Sequence, residues 1–306
     1  MFHRRKPASG VKPFRDGAID IRRWRARRRL DRLFSGRLAG LGKKTALVLG
    51  GLLLALIAAA ILIAACWPWL SRCALLVGVL RCVGMLAAVW APCVAALVPI
   101  RFLTKVPSFV FRKAMHTSAF AAVALMILSA GDWRAAALTS ALAAAAAHLL
   151  LAALEDEPWY GRLLVQKSRG EVRRSLTLYF AMVAALIAVC WGAFRRPVAA
   201  AAAILMWGAG DAAAALVGIP FGRHKVPLAD GKKSWEGSAA MLAVSFAAGL
   251  CALLAFEKAG LPGALVSAGM GALLGAAAEL FSPGEYDTVT VPAVIAAALL
   301  LSRGAL

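Results

Sequence analysis

The sequence predicts an all-α, polytopic bundle of transmembrane helices, with about nine spans and the N-terminus inside. Three observations carry this expectation. Apolar residues make up 62% of the 306 residues and charged residues 16%, against about 45–50% and about 25% in a soluble domain. The apolar residues fall into runs of about 20, the length that crosses a hydrocarbon core. The basic residues concentrate in alternate connections, as the positive-inside rule requires. A soluble enzyme, a secreted disulfide scaffold and a disordered chain are excluded by the same facts. The six cysteines lie in or beside apolar runs without paired metal-type spacing, so they read as small buried apolar residues.

Residues 1–44 form a basic arm with 15 Lys and Arg against Asp16, Asp20 and Asp31. Directly before a span, such an arm faces the cytoplasm and touches anionic lipid, and no nucleic-acid partner is expected. It lacks the short charged region and small-residue cleavage site of a secretory signal. Candidate spans follow at 45–67, 73–100, 114–130, 133–154, 175–194, 197–218, 235–256, 262–281 and 289–302. The second is overlong and holds Arg81 and Pro92, which predicts tilting, kinking or splitting; the last is short. The Ala runs 143–147 and 199–203 suit close helix packing. Residues 45–104 are read as two extra N-terminal spans and 105–306 as the core unit.

With the arm inside, the inside connections are 101–113, 155–174, 219–234 and 282–288. The first three carry most of the loop cations, among them Arg112, Lys113, Arg173, Arg174, Arg223, Lys225, Lys232 and Lys233. The outside connections hold Arg72, Arg134, Arg195, Arg196 and Lys258. The inside connections are also the longer ones, so chemistry on a water-soluble co-substrate belongs on that face. The expected location is a bacterial inner membrane, and a homo-oligomer is left open.

The segment 207–238 is the most informative. Asp211 falls inside an apolar run, which is costly unless it meets a cation. Beyond it come Gly218, Gly222, the cluster Arg223-His224-Lys225, and then Gly231-Lys232-Lys233-Ser234 with Glu236-Gly237. Glycines let backbone amides approach phosphate oxygens, lysines neutralise them, and a carboxylate holds a hard cation such as Mg²⁺. Ser234 also suits the cap of the following helix, whose N-terminus favours anions. Alone, Gly-Lys-Lys-Ser is a weak signal without P-loop spacing, and the bland alternative is a juxtamembrane loop binding lipid head groups. The intramembrane carboxylate favours a phosphate site.

A second constellation lies at 275–292, with Glu279 near the inside end of its span and Asp287 beyond it. Carboxylates converging from Asp211, Glu279 and Asp287 would make an oxygen site for Mg²⁺ or Mn²⁺, completed by water and nucleotide phosphates. Glu285 reads as a solvated loop charge. His116 opens the third span behind Arg112 and Lys113, where it would touch phosphate, act as a base or rest at the interface. His148 reads as a helix–helix hydrogen-bonding residue.

The segments RKAMH (112–116), GDAAAALVG, FGRHK and GKKSWEGS (within 210–238) and AELFSPGEYDTVTVP (278–292) resemble the dolichol kinase, phytol kinase and CTP-dependent diacylglycerol kinase group. That group belongs to the phosphatidate cytidylyltransferase superfamily. The resemblance covers roughly 105–302, and the central motif is its most specific part. It implies an Mg²⁺-dependent phosphotransferase that moves the γ-phosphate of a nucleoside triphosphate, typically CTP, to a lipid alcohol. The acceptor would be an isoprenoid alcohol of phytol or polyprenol type, or diacylglycerol. By resemblance Asp211, Lys232, Lys233, Ser234, Glu236, Gly237, Glu279 and Asp287 match functional positions. Arg223 and Lys225 join the expected phosphate contacts; Asp211, His116 and Lys233 are the expected catalytic residues, and Asp211, Glu279 and Asp287 the metal ligands. One departure is Thr288, where the pattern usually has Asn. A phosphatidate cytidylyltransferase is the alternative, although its Gly-rich C-terminal signature is absent. A transporter or lipid-binding protein is a second alternative, unsupported by any pair of broken spans in equivalent halves.

Overall fold

The computed structural model of the chain describes residues 43–157, 160, 169–226, 233–282 and 286–302. The basic arm before residue 43 lies outside them. Among the described residues the architecture is all-α: no strand forms, and one isolated antiparallel bridge pairs Lys225 with Ser234. The helices are α1 (Lys43–Leu70), α2 (Ala74–Leu103), α3 (Ser108–Ser129), α4 (Trp133–Leu154), α5 (Glu171–Leu186), α6 (Pro197–Phe221), α7 (Trp235–Ala252), α8 (Leu261–Phe281) and α9 (Asp287–Leu301). Helix α5 continues as a π-helical turn over Ile187–Ala193, and α7 as another over Leu253–Glu257. Seven of these segments are long and apolar enough to cross a membrane, while the apolar parts of α1 and α9 are shorter.

The helices follow the expected spans closely, because each apolar run is bounded by Gly, Pro or a polar cap. Asp132 caps α4 by accepting from the Arg134 amide, and Pro197 and Pro262 stand in the first turns of α6 and α8. Helix α2 keeps Pro92 and Pro99 within one uninterrupted helix. At about 1.5 Å per residue its 30 residues exceed the hydrocarbon thickness, which a tilted span accommodates. Between Gly50 and Cys66 the residues of α1 are almost all exposed, as a helix facing lipid must be.

Helix α6 is the central element, packed against α3, α7, α8, α9 and the end of α5. Its Ala199–Ala203 run is fully buried, so neighbouring helices approach without large side chains between them. Of the other run, 143–147, only Ala144 is buried. Phe120 of α3, Tyr179 of α5 and Trp207 of α6 meet edge to face at one level, with ring centroids 4.6 Å apart for Phe120–Trp207 and 4.7 Å for Phe120–Tyr179.

The two ends of the bundle are held differently. At one end Arg196, just before α6, is only 9% exposed. Its Nε and Nη2 donate to Glu257 Oε1 at 3.0 and 2.6 Å, and its Nη1 donates to the Leu299 carbonyl at 2.7 Å. One guanidinium thereby ties together the start of α6 and the ends of α7 and α9. At the other end lie Asp211, Lys233 and Glu279. Arg112 of α3 faces Glu171 of α5 at 3.7 Å there, and Arg173 of α5 faces Glu155 at 3.6 Å.

Candidate active site

Helices α6 and α7 approach so closely near the Asp211 end that their backbones touch. A Cβ on Gly237 would lie 3.0 Å from the Ala214 carbonyl oxygen and 3.3 Å from the Gly218 Cα. Only glycine fits there, and this contact fixes the N-terminus of α7 beside the last turns of α6. Ser234 is the N-cap of α7, its hydroxyl accepting from the Gly237 amide at 3.2 Å. A Cβ on Gly222 would strike the same hydroxyl.

Glu236, in the first turn of α7, folds the connection back onto the helix. Its Oε1 accepts from the Arg223 amide at 3.2 Å, the His224 amide at 3.1 Å and His224 Nδ1 at 2.7 Å. The Val226 amide donates to the Lys233 carbonyl and the Trp235 amide to the His224 carbonyl, both at 3.0 Å. The carboxylate is thus occupied with the backbone of its own loop, while Arg223, His224 and Lys225 are exposed.

Between α6, α7 and α8 this packing leaves a cleft of about 170 Å³, lined by Asp211, Ala214, Gly218, Lys233, Ser234, Gly237 and Glu279 among others. Two lysines neutralise its carboxylates. Lys113, from α3 and only 7% exposed, places Nζ 2.6 Å from Asp211 Oδ2. Lys233 Nζ lies 3.1 Å from Glu279 Oε1 and also donates to the carbonyls of Glu279 and Ser282. Asp287 opens α9, and its Oδ1 accepts weakly from the Thr288 hydroxyl at 3.4 Å. It follows closely on Ser282, whose carbonyl accepts from Lys233.

The expected residues divide accordingly. Asp211, Lys233, Ser234, Gly237 and Glu279 share the cleft. Asp287 stands beside it, and Arg223 and Lys225 stand exposed on the loop beyond it. His116 is exposed on α3 three residues after Lys113, without a hydrogen-bond partner among the described residues. Lys232 and Glu285 lie outside the described residues. Among the described residues no three His, Cys, Asp or Glu side chains stand close enough to hold a metal ion by themselves. The donor set is still one that suits Mg²⁺: hard carboxylate oxygens from Asp211 and Glu279, with room for the phosphates and water that usually complete its shell. Lys113 is the site residue that sequence reasoning passed over. Its signal was present, since a carboxylate within one apolar span needs a cation, and Lys113 stands at the start of another.

A phytol kinase from Synechocystis sp. is 35% identical to the chain over 116 residues, 38% of this chain and 49% of that protein. The match supports the phytol and dolichol kinase group. The chain thus spans about half the length of this curated relative. No family model matches the chain, and no solved structure matches it.

Proposed function

We propose that the chain is an integral-membrane lipid-alcohol kinase that transfers the γ-phosphate of CTP to an isoprenoid alcohol of phytol or polyprenol type. The observation that carries this reading is the lysine-neutralised carboxylate cleft at one end of an apolar helix bundle, in a chain similar to a phytol kinase. An alcohol with an apolar tail reaches such a cleft from the bilayer, and a nucleotide reaches it from water.

Phosphoryl transfer is catalysed largely by positioning and charge neutralisation. The acceptor oxygen attacks the γ-phosphorus, the bond to the bridging β–γ oxygen breaks, and the hydroxyl proton leaves. Asp211, in the cleft, is the proposed proton acceptor; His116, outside it on α3, is the other candidate. Lys233, with Lys232 beside it in sequence, faces the phosphates, and Arg223 and Lys225 draw the nucleotide in from water. Asp211 and Glu279 would hold Mg²⁺, with Asp287 adding negative charge, and the ion would offset the charge of the triphosphate. Within the cleft Asp211 and Glu279 are already matched by Lys113 and Lys233, so a divalent ion there would offset charge that the nucleotide brings.

The test is to give purified protein CTP or ATP labelled at the γ-phosphate, with phytol, a polyprenol, diacylglycerol or phosphatidic acid. Label appearing on an isoprenoid alcohol supports the proposal. Label on diacylglycerol moves the acceptor within the same reaction class. Release of pyrophosphate with formation of a CDP-lipid replaces the kinase with a cytidylyltransferase.

A further inference from the structure

We infer that Lys113 is a displaceable counter-ion that makes the cleft accept a divalent cation together with a nucleotide and not ahead of it. The inference rests on reading the cleft as a cation and nucleotide site. Three observations carry it. Asp211 lines the cleft and its side chain is 36% exposed, whereas Lys113 is buried behind it and does not line the cleft. Among the described residues Asp211 is the one hydrogen-bond partner of the Lys113 ammonium. Lys233, by contrast, is fixed by two backbone carbonyls besides Glu279.

Lys113 is therefore the less tethered of the two lysines. Its four-carbon stem lets the ammonium swing without moving α3. In an apolar segment Asp211 cannot stand without a cation, and Lys113 supplies one. A divalent ion arriving at Asp211 from the cleft meets that ammonium as a competitor, and the two positive charges repel at short range. A triphosphate arriving with the metal eases the conflict, because its negative charge beside Asp211 offsets the ammonium and the ion together. Lys113 thus couples the two ligands: it opposes the metal alone and favours the metal with the nucleotide.

Mn²⁺ titrations followed by electron paramagnetic resonance test this on the full-length protein in detergent, with and without a non-hydrolysable CTP analogue. Lys113→Gln removes the charge and leaves a polar amide on the same side of α3, so Mn²⁺ alone should bind about tenfold or more tightly than to the unaltered protein. The enhancement of Mn²⁺ binding by the analogue should shrink by a similar factor. Lys113→Arg keeps the charge and should bind Mn²⁺ alone no more tightly than the unaltered protein. A gain in Lys113→Arg, or no gain in Lys113→Gln, overturns the inference. Asp211→Asn separates the two layers: if it leaves Mn²⁺ affinity unchanged, the metal reading of the cleft fails and the counter-ion role falls with it. If Asp211→Asn abolishes binding while Lys113→Gln has no effect, only the counter-ion role fails.

Discussion

At Asp211 charge and shape can be separated by a single substitution. Asn has the same outline and hydrogen-bonding reach but no negative charge, so Asp211→Asn spares a role confined to hydrogen bonding and removes a role in holding a cation or taking a proton. Transfer of label from the γ-phosphate should fall by at least about 100-fold, the scale seen when one stabilising group is removed from a transition state. Glu285→Gln is the control and should leave the rate nearly unchanged. Both rates belong to protein shown to elute as a single folded species. Asp211 was legible in the sequence because a carboxylate in an apolar run is costly and calls for a reason. Lys113 was not, because a lysine directly before an expected span reads equally well as a topology signal. Only the packing of α3 against α6 shows that it turns inward.

At the scale of elements, the connection from α6 to α7 is built from inside the helix it precedes. Glu236 accepts both amides and the imidazole of the Arg223–His224 turn, so Glu236→Ala should free that turn without unfolding α7. Amide hydrogen exchange at Arg223 and His224 should speed up while exchange in α8 stays unchanged. Gly237→Ala acts on the contact between helices: the new methyl meets the Ala214 carbonyl and the Gly218 Cα, backbone atoms that cannot rotate away, as well as the Ser234 hydroxyl. About 1–3 kcal/mol of destabilisation is expected, read as a lower melting temperature in detergent. The helices themselves were plain from apolar run length and flanking Gly and Pro. The double use of the Gly-Lys-Lys-Ser-Trp-Glu-Gly stretch was not. Its residues read as phosphate contacts, yet Ser234, Glu236 and Gly237 also make the cap, the loop clamp and the helix contact that hold Lys233 at the cleft. One short motif can serve folding and chemistry together, and composition cannot apportion the two.

For the whole molecule, the alternation of basic connections predicts sidedness, and single cysteines in a cysteine-free background would read it. Asp230→Cys should label only from the side of the N-terminus, and Arg134→Cys and Lys258→Cys only from the opposite side. Labelling of Asp230→Cys from the far side would put the cleft on the wrong face for a cytoplasmic nucleotide. The far end offers a second measurement. Glu257→Ala leaves a nearly buried Arg196 without its carboxylate but with the Leu299 carbonyl, and about 1–3 kcal/mol of destabilisation is expected. Thermal stability should drop by that order, while the rate per folded molecule at low temperature stays the same, because the clasp lies at the opposite end from the cleft. The clasp and the cleft also rely on separate fasteners. One guanidinium ties α6, α7 and α9 at one end; at the other, the α6–α7 backbone contact is joined by Lys113 reaching from α3 to α6 and Lys233 from the start of α7 to α8. The two ends are therefore fastened independently, and a substitution that loosens the clasp leaves the charges around the cleft in place.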